Sequence, residues 1–311
     1  MKVTFQMGIL LLTFLIGACK QEQRDDAKQP SPPATEVDET ILKGSPDLGP
    51  NFNPVHSELA YYSYVGEDQS MARIFVSDLN GDNVREISAL DSTGFHTEPK
   101  WSRDGKRIAY TNFLGEGARI MAVDADGQHL TELATVTEDG FHMFSSWDVS
   151  GEGYFFFHWP KGGFTPDAYY AKGNQVERLT DNGKTNRPQM TAEGNLFINR
   201  IESVDPYRAT KQLYDLGQKE VIKDMPEIEG EFIDGNYAVK AVENEDSTTF
   251  ILEDMLGKDL RELGTVPYIK IMFATIDSRQ EYVAYNTDFA DGAEIHLLKI
   301  ETGEIVKLTQ N

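Results

Sequence analysis

Two copies of one tripeptide, Gly94-Phe95-His96 and Gly140-Phe141-His142, stand 46 residues apart, and each histidine precedes a tryptophan (Trp101, Trp147) by five. A third histidine follows in the pair His158-Trp159, and Glu98 and Arg187 lie near the same frame. Three imidazoles with a carboxylate form a ligand set for a divalent transition metal. A His/Arg pair can instead hold an anion or move a proton. Phe95, Phe141 and Trp159, together with Phe164 and Tyr207, are of the type that stacks on sugars or packs on peptide side chains. The candidate binding residues are therefore His96, His142, His158, Trp159, Glu98, Arg187, Phe95 and Phe141, with His96, His142 and His158 the candidate metal ligands. The competing reading makes Gly-Phe-His a duplicated loop, in which Phe packs and His caps a turn. His56, His129 and His296 read as structural or solvated. No catalytic residue can be named, because the chain carries no Gly-x-Ser-x-Gly elbow, no Gly-rich phosphate loop and no His-Glu-x-x-His.

The elements that position these residues repeat. Phe52, Trp101, Trp147, Met190, Phe232 and Ile276 anchor six copies at spacings of 49, 46, 43, 42 and 44 residues, and Pro50, Pro99 and Pro188 stand two before their anchors. Each anchor is followed by a polar turn and an alternating strand, such as "RIAYTN" or "ELAYYS". Each copy then ends in two strands around a turn, as at Asn80-Gly81, Asp126-Gly127, Gly173-Asn174 and Thr302-Gly303. Such turns need φ > 0, and their flanks alternate at period two, as half-buried strands do. Four short strands at a period of about 45 residues describe one propeller blade, which must stack on neighbours to bury its faces. The expected fold is all-β, a six-bladed β-propeller of four-stranded antiparallel blades over residues 50–311. The constant anchors then pack between blades. The Asp-rich segments at 78–82 and 124–127 are turns, lacking the ligand spacing of a calcium loop.

The wording "P-x-W-S-x-D-G-K-x-I-A-Y … D-x-D-G" of the second copy resembles the six-bladed propeller repeat of TolB and its relatives. That resemblance implies the fold and leaves the function open. Metal-dependent oligogalacturonate lyases are propeller enzymes that use histidines, and this chain is similar to them only in fold and in having some. In such a blade the loops before the first strand and between the second and third strands reach one rim. Both Gly-Phe-His segments and the "HWPKGGFTP" segment should meet there.

Residues 1–18 read as a secretory signal peptide: Lys2, then an apolar run broken by Thr4, Gln6 and Thr13, then Gly17 and Ala18. Ile16-Gly17-Ala18-Cys19 resembles the bacterial lipobox, which implies cleavage before Cys19 and acyl chains such as palmitate on the lipoprotein. Residues 19–49 are then a lipidated cysteine and flexible tether. Lys20 resembles the residue found in lipoproteins sent to an outer membrane. Residues 39–49 could alternatively supply a strand that latches the ring. The net charge of −22 argues against nucleic acid and against unaided adsorption to anionic membranes. The lipid must hold the protein to its membrane. The reading as a whole is a non-enzymatic, monomeric envelope lipoprotein whose propeller face binds a protein, peptide or glycan, with no cofactor. The alternative is a His-centred lyase or hydrolase acting on a polysaccharide with a divalent metal.

Overall fold

A computed structural model describes residues 45–66, 69–230 and 232–309, with the backbone alone at 232–234. Blade 1 is β1 (Asp47–Phe52), β2 (Glu58–Val65), β3 (Met71–Asp78) and β4 (Arg85–Glu86). Blade 2 is β5 (Phe95–Trp101), β6 (Arg107–Leu114), β7 (Gly117–Asp124) and β8 (Thr131–Glu132). Blade 3 is β9 (Gly140–Trp147), β10 (Gly153–Pro160), β11 (Asp167–Lys172) and β12 (Gln175–Arg178). Blade 4 follows with β13 (Thr185–Met190), β14 (Leu196–Val204), β15 (Tyr207–Asp215) and β16 (Glu220–Asp224). Blade 5 has β17 (Phe232–Asp234), β18 (Tyr237–Glu243), β19 (Thr248–Asp254) and β20 (Asp259–Val266). Blade 6 has β21 (Ile271–Ile276), β22 (Tyr282–Thr287), β23 (Ile295–Lys299) and β24 (Glu304–Lys307). Every blade is an antiparallel meander in chain order. Single parallel bridges, Ala72 to Phe95 and Ala118 to Phe141, join blades 1, 2 and 3 into one continuous sheet.

The apolar core lies between blades. A strand turns alternate side chains to opposite sheet faces, and each face here meets a neighbour. Trp101 packs with Leu48, Ile74 and Tyr110 at the seam of blades 1 and 2. Trp147 packs with Ala109, Ile120 and Phe144 at the next seam, and its Nε1 donates to Lys100 O at 3.1 Å. Met190 and Ile276 serve the same role in blades 3–4 and 5–6.

The innermost strands share a defect that explains the recurrent proline. In β1, β5 and β13 the ladder slips so that two residues face one: Gly49-Pro50, Glu98-Pro99 and Arg187-Pro188. Proline has no N–H to give a ladder, so a bulge on an edge strand accommodates it. The residue before it is left-handed in all three, with φ of 62° at Gly49, 52° at Glu98 and 47° at Arg187.

Among the described residues the ring closes by apolar packing and hydrogen bonds between blades 1 and 6. Strand β1 begins at Asp47, three residues ahead of the expected boundary, and belongs to its own blade. Asp47 N donates to Ala293 O at 2.7 Å and Gly49 N to Asn286 Oδ1 at 3.2 Å, tying β1 to blade 6. Phe52, Leu59 and Phe75 then meet Ala284, Ile295, Leu297 and Leu308 across the closing seam. Gly81 sits so close to Leu308 that a Cβ there would lie 2.5 Å from the Leu308 carbonyl oxygen. Among the described residues the four strands of blade 6 all come from 271–307. The expected signal peptide, Cys19 and the expected tether as far as residue 44 lie outside the described residues. Among those described, no helix is long and apolar enough to cross a membrane.

Candidate functional site

The Gly-Phe-His segments are not loops. Phe95 and His96 open β5, and Gly140, Phe141 and His142 open β9; His158 and Trp159 end β10. Ladder bonding and inter-blade packing therefore fix these side chains, and the histidines are taken out of solvent.

His96 is 0% exposed. Its Nε2 lies 2.9 Å from Thr93 O, an acceptor, so Nε2 carries the proton and Nδ1 is the bare nitrogen. Asp91 stands 3.6 Å away, held in turn by Asn112 Nδ2 at 2.7 Å and Arg119 at 2.9 Å. Burial, helped by the nearby Arg73 guanidinium, pulls the His96 pKa down to about 4. At neutral pH the imidazole is thus an uncharged member of a polar network inside blade 2. Sequence reasoning missed Asp91, Asn112 and Arg119, which are scattered over a loop and two strands. Their charge types gave no local motif.

His142 and His158 face each other across the β9–β10 ladder. They are 8% and 2% exposed, and their rings stack at 4.5 Å between centroids, 22° from parallel. His142 Nδ1 bonds Ala118 O at 3.0 Å, and the outer Nε2 atoms of both rings are buried without a hydrogen-bond partner. Burial lowers both pKa values, and for His158 the neighbouring His142 adds to it. The structure thus pairs two of the three candidate metal ligands and gives the third, His96, different partners. Among the described residues no three His, Cys, Asp or Glu side chains are placed to hold one ion.

Glu98 and Arg187 occupy equivalent bulges of blades 2 and 4, both half-buried and, among the described residues, without an ion pair. Left-handed backbone at a non-glycine residue is costly, and the bulge removes each from the strand alternation.

What does come together at this rim is a row of aromatic rings. Phe289, in the loop between β22 and β23, lies 6.2 Å from Tyr64, which meets Phe95 edge-on at 5.0 Å. Phe95 faces Phe113 across the β5–β6 ladder. Phe113 lies 6.4 Å from Phe141, which stacks on Trp159 at 4.9 Å, only 9° from parallel. Phe164 closes the row edge-on to Trp159 at 4.9 Å. Phe289 is 43% exposed and the other six are half-buried. Tyr64, Phe113 and Phe289 were not singled out from sequence. A signal existed: counted from the first apolar residue of β2, β6 and β10, Tyr64, Phe113 and Trp159 hold one repeat position. Tyr207, expected among the exposed aromatics, instead donates its OH to Asn186 Oδ1 at 3.2 Å.

The remaining histidines are bland. His296 is buried between Tyr268 and Tyr285. His129 pairs with Asp124 in a hairpin, and His56 is exposed at the opposite rim. There it borders a polar cleft of about 570 Å³ whose Arg85 and Glu58 are already paired at 2.7 Å.

No family model and no curated protein matches the chain. Solved structures do. The chain is similar to TolB from Acinetobacter baumannii at 17% identity and a TM-score of 0.51, over 69% of this chain and 53% of that one. A tricorn protease matches at 14% identity and 0.55, over 85% of this chain and 26% of the protease. An oligogalacturonate lyase in complex with manganese matches at 12% and 0.53, over 83% and 75%. The chain thus spans about half of the TolB chain and a quarter of the protease. At these identities the likeness establishes the architecture alone. The protein is a six-bladed β-propeller, similar in fold to TolB.

Proposed function

We propose that this protein is a lipid-anchored envelope lipoprotein that works by binding, presenting one propeller rim to a protein, peptide or glycan partner without catalysing a reaction. The observation that carries the reading is the contrast at that rim. The aromatic rings are half-buried at the surface, whereas the imidazoles beneath them are sequestered in stacking and backbone hydrogen bonds. Acid–base catalysis needs a titratable group within reach of the substrate, and these three lie below the surface. The lipobox-like Ile16-Gly17-Ala18-Cys19 and the polar segment after it support tethering at a membrane, with the outer membrane the favoured one.

The test is photo-crosslinking in intact cells. A photoreactive residue at Phe164, on the aromatic rim, is compared with one at Leu256, in the β19–β20 hairpin at the opposite rim. The expected result is partner capture from position 164 only, lost in a Cys19→Ala variant that no longer takes up labelled palmitate. Capture only from position 256, or stoichiometric metal together with turnover of a polysaccharide, overturns the reading.

A further inference from the structure

The charges around the aromatic row specify the kind of partner more narrowly. Six connections border the row: 66–70, of which 67 and 68 lie outside the described residues, 87–94, 115–116, 133–139, 161–166 and 288–294. Their described residues include seven acidic ones and one basic one, Lys161. Asp91 is taken by Arg119, and Glu294 by Lys307 at 2.5 Å. Glu116, Glu138, Asp139 and Asp291 are exposed. Lys161 itself is paired with Asp139 at 3.8 Å, an exposed contact weak enough for a ligand cation to displace. The row is therefore a strip of ring surface flanked by carboxylates, with no free cation among the described residues of these connections.

Aromatic faces attract ammonium and guanidinium groups, and more strongly where water is partly excluded. Flanking carboxylates add Coulomb attraction and raise the encounter rate with a cationic ligand. A neutral sugar would use the rings and ignore the charge; an acidic peptide or nucleic acid would be repelled. Two runs of rings, Phe289–Tyr64–Phe95 and Phe113–Phe141–Trp159–Phe164, have steps of 4.9 to 6.4 Å, and the Phe95–Phe113 ladder pair links them across blades 6, 1, 2 and 3. The contour of the row, on the order of 30 Å, matches about nine residues of extended chain. A small cation needs one ring and two carboxylates. A strip of this length suits a peptide.

We infer that the aromatic row from Phe289 to Phe164 is a docking strip for an extended peptide segment in which Lys or Arg alternates with apolar residues. Apolar side chains lie on the rings, and the cations reach the carboxylates at Glu116, Glu138, Asp139 and Asp291. This rests on the proposal that the rim is a binding face and names the chemistry of its partner.

The probe is a labelled nonapeptide of alternating Arg and Leu, titrated by fluorescence anisotropy. Its acidic Glu/Leu counterpart and a neutral heptasaccharide are run in parallel. The expected result is saturable binding of the basic peptide and at least tenfold weaker binding of the acidic one. Phe289→Ser/Phe164→Ser should weaken the basic peptide about tenfold, and Glu138→Gln/Asp139→Asn should weaken it several-fold and flatten its salt dependence. Both pairs are at the surface, and an unchanged thermal midpoint verifies folding. Equal binding of the two peptides, or indifference to both double variants, overturns the inference. Saccharide binding that depends on Trp159 without peptide binding also overturns it. Capture from position 164 in cells then still upholds the binding-face reading, so the two failures are distinguishable.

Discussion

At the scale of residues, the buried imidazoles make stability depend on pH with a defined sign. His96, His142, His158 and His296 all have pKa values lowered by burial from the ordinary 6.5. The folded chain keeps them neutral, while the unfolded chain protonates them as pH falls below about 6.5. The unfolded state therefore binds more protons in this window, and stability drops as pH falls. It is fully present above 6.5 and, for His96, is lost progressively down to its folded value of about 4. His96 alone accounts for roughly 3 kcal/mol at the acid end of that window. Urea denaturation at pH 7.5 and 5 should show a lower midpoint at pH 5. A His142→Gln/His158→Gln variant should show a shallower decline between the two. A midpoint that rises on acidification contradicts the assignment. These roles were hardly legible in the sequence. The duplicated Gly-Phe-His was visible, but burial inverted its meaning. A histidine on an inner strand is accessible or sequestered depending on how closely the next blade packs, and a local motif does not report that.

The element that matters most is the bulged inner strand. Glu98, at φ 52°, holds the conformation that glycine adopts at no cost in β1, where Gly49 has φ 62°. A non-glycine residue in this region costs about 1 kcal/mol or more. Glu98→Gly should thus raise the denaturation midpoint by an amount equivalent to about 1 kcal/mol. Gly49→Ala should lower it, because the new Cβ would lie 2.8 Å from Tyr62 Cε1. The pair of variants checks the bulge, since a regular strand would be weakened by glycine at 98. The proline two residues before the anchors pointed to this feature in the sequence. What it produced, a bulge and a left-handed residue, emerged only from the ladder register. The hairpins were more legible: Gly81 and Gly127 both adopt φ 81° where the Asn-Gly and Asp-Gly turns required a positive value.

At the scale of the whole molecule, the ring is held by apolar seams between neighbouring blades. Among the described residues the seam of blades 1 and 2 buries thirteen apolar side chains, whereas all five residues of β16, the outer strand of blade 4, are exposed. Local opening follows the weakest apolar contacts. Native-state hydrogen exchange should therefore find the amides of β16 opening at lower free energy than those of the mostly buried β2 or β6. The closing seam, rich in Phe52, Leu59, Ile295 and Leu297, should exchange with the slow group. Early exchange there would mean that the contacts between blades 1 and 6 do not seal the ring. The period of the repeat made six blades of four strands readable from sequence, because each copy is its own meander. The aromatic row was half readable: Phe95, Phe141, Trp159 and Phe164 stood out as single residues. Tyr64, Phe113 and Phe289 join them only once strand ends from neighbouring blades are brought side by side.

The most direct test of the account is a hydrogen-exchange footprint of the full chain with and without the Arg/Leu nonapeptide. Protection is predicted at 113–117, 138–142, 159–165 and 287–291, on the aromatic rim. Protection confined to 102–107 and 124–127, at the opposite rim, would contradict it.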